Sequence, residues 1–144
     1  MFLTIGFRSW YVQCIRYIIP KSISTNYNKL CSGYYGRLLT RLRLELSGLN
    51  AHRFKYNLTN TPICHLCHLA PEDNLHYFYN CPVHILPRQH FMNLLQSELD
   101  LDITNKQNTL KTILYGNINH NLHSSLLLFI YQYIKFTGRF EIQN

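Results

Sequence analysis

The sequence predicts a mainly α fold: a helical domain carrying a small zinc-knuckle-like insert. Three observations lead there. Leu30, Tyr34, Leu38, Leu42 and Leu46 recur at four-residue spacing, which is the stripe of an amphipathic helix. Three further apolar stretches follow residue 85, each with helix-boundary residues beside it. Between the two sets, CHLCHLAPEDNLHYFYNC at 64–81 places three cysteines and three histidines in eighteen positions.

Residues 1–28 read as an apolar segment followed by a loop. MFLTIGFRSWYVQCIRYII is interrupted by Arg8, Gln13 and Arg16, and Pro20 ends it short of a comfortable membrane span. It also lacks the charge order and cleavage-site residues of a signal peptide, so a buried strand or helix is expected and no membrane partner. PKSISTNYN at 20–28 is the loop. Residues 29–144 form the helical domain, with the insert at 56–86. Gly33 and Gly36 weaken the first helix until about Tyr34, and Ser47-Gly48 stops it. Pro87 suits the first position of a helix running to about Leu99, with Phe91, Leu94 and Leu95 apolar. Lys106 to Tyr115, closed by Gly116, is the next. The last runs from about Asn121 to Phe136; its LLLFIYQYI is apolar nearly all round and should be the most buried element. Asp100 and Asp102 sit between helices and read as a cap or turn rather than paired catalytic acids.

Hydrophobic residues make up 47% of the chain, enough for a core. Fourteen Lys and Arg against seven Asp and Glu give a net charge of +7, which favours polyanionic partners, RNA or DNA first. Arg37, Arg41 and Arg43 ride the first helix, and His52, Arg53 and Lys55 follow at once. These six are the candidate phosphate contacts; a plain solvated face opposite the leucine stripe is the alternative. Tyr56 or Tyr77 could stack on an unpaired base. Five cysteines is an odd count, so metal or free thiols in a reducing compartment, nucleus or cytoplasm, are expected over a disulfide framework.

The cluster reads Cys64-x2-Cys67-x8-His76-x4-Cys81. A C-x-x-C turn aims two sulfurs at one point, and Zn²⁺ asks for four such donors in a tetrahedron. Asp73 or Asn74 can cap a short helix bearing His76. Cys81 joins it only if that helix ends near Asn80, as Pro82 suggests. His65, His68 and His84 are competing donors. His65 and His68 are expected to face away from the ion, and His84 closes the site less compactly. Four protein ligands leave no position for water, so the site is expected to be structural.

The stretch RLRLELSGLNAHRFKYNLTNTPICHLCHLAPEDNLHYFYNCP, 41–82, resembles the C-terminal region of non-LTR (LINE-type, jockey-like) retrotransposon reverse transcriptases. Arg41, Arg43, Ser47, Leu49, Asn50, His52, Arg53 and Phe54 match the lead-in, the four ligands match the tail, and Glu72 matches the acidic residue between them. FIYQYIKFTGRF at 129–140 is similar to the closing helix. The likeness spans roughly the last 110 residues and departs from the pattern at Glu45, where glycine is expected, and at His65. It implies a non-enzymatic accessory tail that holds nucleic acid beside the catalytic part of a retrotransposon polyprotein. The seven acids include no polymerase, endonuclease or ribonuclease H cluster. A protein-interaction module and a decayed retroelement fragment are the rival readings.

Overall fold

The computed structural model describes Tyr27, Leu30, Cys31 and residues 33–141. The expected N-terminal segment therefore lies outside the described residues, Tyr27 excepted. Within them the chain is mainly helical: α1 (Gly33–Arg43), α2 (Asn50–Lys55), α3 (Ile85–Leu99), α4 (Lys106–Tyr115) and α5 (His123–Thr137). A π-helical turn spans His76–Asn80, and 3-10 turns cover Pro82–His84 and His120–Leu122. The only β pairing among these residues is a single antiparallel bridge, Ile63 with Pro71. No helix is long and apolar enough to cross a membrane among the described residues.

Helix α1 ends at Arg43, short of the expected stop at Ser47-Gly48. The Leu46 N–H bonds Arg41 O, the Glu45 N–H bonds Leu42 O, and Glu45 takes φ 56. That is a Schellman cap with Glu45 in the left-handed position, where glycine has no steric cost. Helix α2 was not foreseen; six residues are too few to carry a periodic signal.

The core centres on α3 and α5. Phe91 stacks on Tyr133 with ring centroids 4.9 Å apart, Phe78 stacks on Tyr133 at 5.5 Å, and Leu95, Leu126 and Ile130 are fully buried. Each such side chain contributes about 1.5–3 kcal/mol, so these few outweigh any single polar contact. Helix α5 is not buried all round, as its composition suggested. Leu128 and Phe136 are 53% and 64% exposed, Phe136 meeting only the edge of α3 through His90, ring centroids 6.2 Å apart. In α3 the proline is third rather than first, since the 3-10 turn at Pro82–His84 leads straight into the helix, and Met92 and Leu99 are buried where Leu94 is only half-buried. Asp100 caps α3 at φ 53, and Asp102 accepts from Thr104 N–H and O–H, as a turn residue does.

Helix α4 begins on the Asn105 cap and ends at Gly116, φ 70. Glycine is required there twice over, because a Cβ would lie 2.3 Å from the Tyr27 ring. Tyr27 is wholly buried, and its hydroxyl donates to Ile113 O at 2.5 Å.

Candidate metal centre

The Cys64 end of the site is a tight hairpin. Cys64 N–H bonds Ala70 O at 2.8 Å, His68 N–H bonds Cys64 O at 2.9 Å, and Glu72 N–H bonds Pro62 O at 2.9 Å, bracketing the Ile63–Pro71 bridge. His68 turns the chain with φ 59. This folding leaves amides facing sulfur: those of Leu66 and Cys67 bond Cys64, and those of Leu69 and Ala70 bond Cys67. Such donors stabilise a thiolate, the form a metal binds.

The other two donors come from the π turn. Asp73 caps it, its carboxylate accepting from His76 N–H at 2.8 Å. In an α-helix a five-residue step places side chains about 140° apart around the axis. Here Cys81 N–H bonds His76 O at 2.7 Å, an i→i+5 bond whose wider turn carries Cys81 back towards the side of His76. The expected helix end near Asn80 is therefore met by a change of helix type as well as by Pro82.

The donor atoms of Cys64, Cys67, His76 and Cys81 all lie within 4.8 Å of one another, and His76 Nε2 is 3.3 Å from Cys67 Sγ. Tetrahedral Zn–S bonds of about 2.3 Å imply sulfur separations of roughly 3.8 Å, so a small contraction closes the set on an ion. Burial pushes the Cys64 thiol up to about 12, against the pull of its amide donors, and raises Cys81 for the same reason. Burial also acts on Cys67, but the Leu69 and Ala70 amides and the neighbouring thiols outweigh it and leave this thiol below its usual value. Burial lowers His76, favouring the neutral imidazole a metal requires. His65 and His68 are exposed, as expected. His84 is buried against Tyr77, ring centroids 5.4 Å apart, and stands outside the donor cluster.

What holds the insert to the helices escaped the site prediction, although every residue involved lies in the stretches compared with the family. Glu72 is 1% exposed and takes two bonds from Arg139, Nε to Oε2 at 2.8 Å and Nη2 to Oε1 at 2.6 Å. Its Oε1 also accepts from Asn50 N–H at 2.8 Å, and its Oε2 lies 3.6 Å from Cys64 Sγ. Burial alone would raise this carboxyl, but Arg139 and the Asn50 amide hold it below its usual value. Arg139 also donates to Gly48 O. Asn50 Nδ2 bonds Ile63 O at 2.7 Å, and Asn74 Nδ2 bonds Leu42 O at 2.9 Å. The lead-in, the insert and the closing segment meet on one carboxylate.

The six basic candidates divide. Arg43 is buried: Nε donates to Leu114 O, Nη2 to Cys31 Sγ at 3.2 Å, and the guanidinium lies over Tyr27. His52 is buried with Nδ1 2.7 Å from Ser47 Oγ, and burial lowers its pKa. Neither is a surface phosphate contact. Each instead fills a polar position inside, where an unpaired charge would be costly. Lys55 is exposed and pairs with Glu45 at 2.5 Å. Arg53 is exposed and donates to Leu58 O, Arg37 is exposed, and Arg41 is half-buried. Of the two tyrosines, Tyr56 is exposed and Tyr77 is wholly buried, so only Tyr56 can meet a base. No protein-family model, curated protein or solved structure matches the chain.

Proposed function

We propose that this is a zinc-stapled, non-enzymatic domain that binds the RNA or DNA backbone, the role implied by its resemblance to the tail of retrotransposon reverse transcriptases. Three thiolates and an imidazole in a tetrahedral set select Zn²⁺ over harder cations. Four protein donors leave no open position, so the ion's work is to fold residues 56–86. The observation that carries the binding role is a run of four exposed residues, Arg53, Phe54, Lys55 and Tyr56, ending the short helix that the insert is fastened to. Cations interleaved with aromatic faces suit a single strand, whose phosphates and unstacked bases need both. Arg37 and Arg41 extend the positive side along α1. The catalytic part of a retrotransposon polyprotein in a reducing compartment, nucleus or cytoplasm, is the setting the resemblance implies.

Elemental analysis should find one zinc per chain, and a ratio near zero would remove the staple. Across a salt series, each phosphate contact on a single strand contributes a log–log slope of about 0.7, so Arg37→Ala with Arg53→Ala should flatten it by roughly 1.4. Lys135→Ala, on α5, should leave it unchanged. Equal slopes for wild type and the double variant would count against the reading. A protein-interaction role is favoured by one observation: Leu86 and Phe136, 74% and 64% exposed, wall an apolar cavity with Pro87 and His90. Salt-insensitive capture of a protein partner in place of nucleic acid would select it.

A further inference from the structure

Glu72 touches the donor cluster on one side and the closing segment on the other. Its Oε2 lies 3.6 Å from Cys64 Sγ and accepts from Arg139 Nε at 2.8 Å. Neither Cys64 nor Glu72 meets water, the first being fully buried and the second 1% exposed. Charges at such a spacing, so placed, are screened little by solvent or salt. Without an ion the Cys64 thiol donates to Oε2, and the contact is favourable. Metal binding removes that proton and sets a thiolate against a carboxylate. Three thiolates around Zn²⁺ leave the centre with one net negative charge, and an uncancelled Glu72 adds a second beside it. Among the described residues, Arg139 is the cation paired with this carboxylate.

We infer that Arg139 governs how tightly the centre holds its ion, by cancelling the Glu72 charge that would otherwise repel the Cys64 thiolate. The inference rests on the zinc reading and deepens it: metal retention is coupled to a residue of the closing segment, far along the chain from the last donor, Cys81. The two-pronged grip suits that task. Nε and Nη2 each take one carboxylate oxygen, so the guanidinium stays on the charge it balances. The left-handed Gly138, φ 61, ends α5 just before Arg139, and a further Nη2 bond to Gly48 O holds the side chain in place. A purely mechanical fastening is lost when either partner goes. A charge balance is restored when both charges go.

The test uses the full chain. Competition against a chelator gives the Zn²⁺ affinity, and Co²⁺ serves as a spectroscopic stand-in whose thiolate bands report how many sulfurs bind. Arg139→Gln should weaken zinc roughly 10–100-fold, the usual effect of removing a group that supports a metal ligand. Arg139→Lys keeps the charge and should recover most of that loss. The decisive protein carries Arg139→Gln together with Glu72→Gln. It forfeits every charged contact of the pair, yet should bind zinc within about threefold of the wild type. It also carries the test alone if Arg139→Gln does not fold. A double variant as weak as Arg139→Gln overturns the inference, since lost packing then explains both. So does a metal-saturated Co²⁺ spectrum of Arg139→Gln with fewer thiolate bonds than the wild type's, because a donor has then been displaced. Zinc affinity indifferent to Arg139 overturns it while the centre itself stands. A wild-type chain that takes up neither Zn²⁺ nor Co²⁺ removes the zinc reading, and the inference with it.

Discussion

The insert and the α3–α5 pair are held together by different physics. The pair is a conventional core in which Phe91, Leu95, Ile130 and Tyr133 exclude water over a continuous surface. Residues 56–75 contribute one wholly buried apolar side chain, that of Cys64, while Leu58, Leu66 and Leu69 stand exposed at 65%, 38% and 75%. That stretch has little apolar burial of its own, and its donors converge on one point that could hold a metal ion. The π turn joins the two regimes: His76 and Cys81 go to the donor set, Tyr77 and Phe78 to the core. Order in one region can therefore be lost while the other survives, and four experiments separate them.

The largest effect should come from the metal. Zinc binding in small sites amounts to on the order of 10 kcal/mol, more than the insert's own contacts supply. Chelation or Cys64→Ser should abolish amide protection across residues 60–75 while α3 and α5 retain theirs. Uniform loss along the chain would show the two regions to be one cooperative unit.

Next comes the buried ion pair. Glu72→Gln leaves Arg139 without its charge partner, and breaking such a pair costs about 3–5 kcal/mol by denaturant titration. The same carboxylate sets an acid limb. Its folded pKa lies below the usual value of 4.5, so its contribution is present above that pH and is lost as pH falls through the folded value. The Glu72→Gln profile should be flatter between pH 5 and acid than the wild type's. Parallel limbs would mean that other groups, such as the ligands themselves, dominate.

A smaller change tests the junction. Tyr133 donates its hydroxyl to Tyr77 O at 2.5 Å inside the core. Tyr133→Phe strands a buried carbonyl and should cost about 1–3 kcal/mol, with exchange rising at Tyr77 and Phe78 before it rises elsewhere. Smallest is Glu45→Gly. A left-handed residue with a Cβ is strained by about 1–2 kcal/mol, the unfolded chain gains roughly 0.4–1 from glycine's freedom, and an exposed ion pair such as that with Lys55 contributes about 0–1. Stability should rise by less than about 1 kcal/mol, measured as a small increase in Tm. A clear loss would mean the Lys55 pair matters more than the backbone.

These contrasts also explain what was legible in the sequence. The helices of the core announced themselves because burial imposes a period, and α4 was bounded from Lys106 to Tyr115 as found. The donor cluster was legible because ligation needs particular atoms at short spacing. The buried Glu72–Arg139 ion pair was not, because a carboxylate at 72 and a guanidinium at 139 carry no mutual signal in a single chain. The basic residues misled in part for a related reason: sequence gives a side chain its charge but not its depth. Arg43 falls beside Leu42 on α1, where both are buried, while Arg37, six residues earlier, is exposed.

The separation between Glu72 and Arg139 also sets an order in time. All four donors emerge within eighteen residues of one another, whereas Arg139 follows Glu72 by 67 residues. At 5–20 residues per second that interval is roughly 3–13 s of synthesis. Once Cys81 has followed, all four donors are present while the guanidinium that neutralises Glu72 does not yet exist. Ion capture is a local event and fastening a distant one, so a nascent chain can be loaded before it is locked. A ribosome-stalled chain ending at Thr112 should accordingly hold zinc, with Glu72 still awaiting its partner.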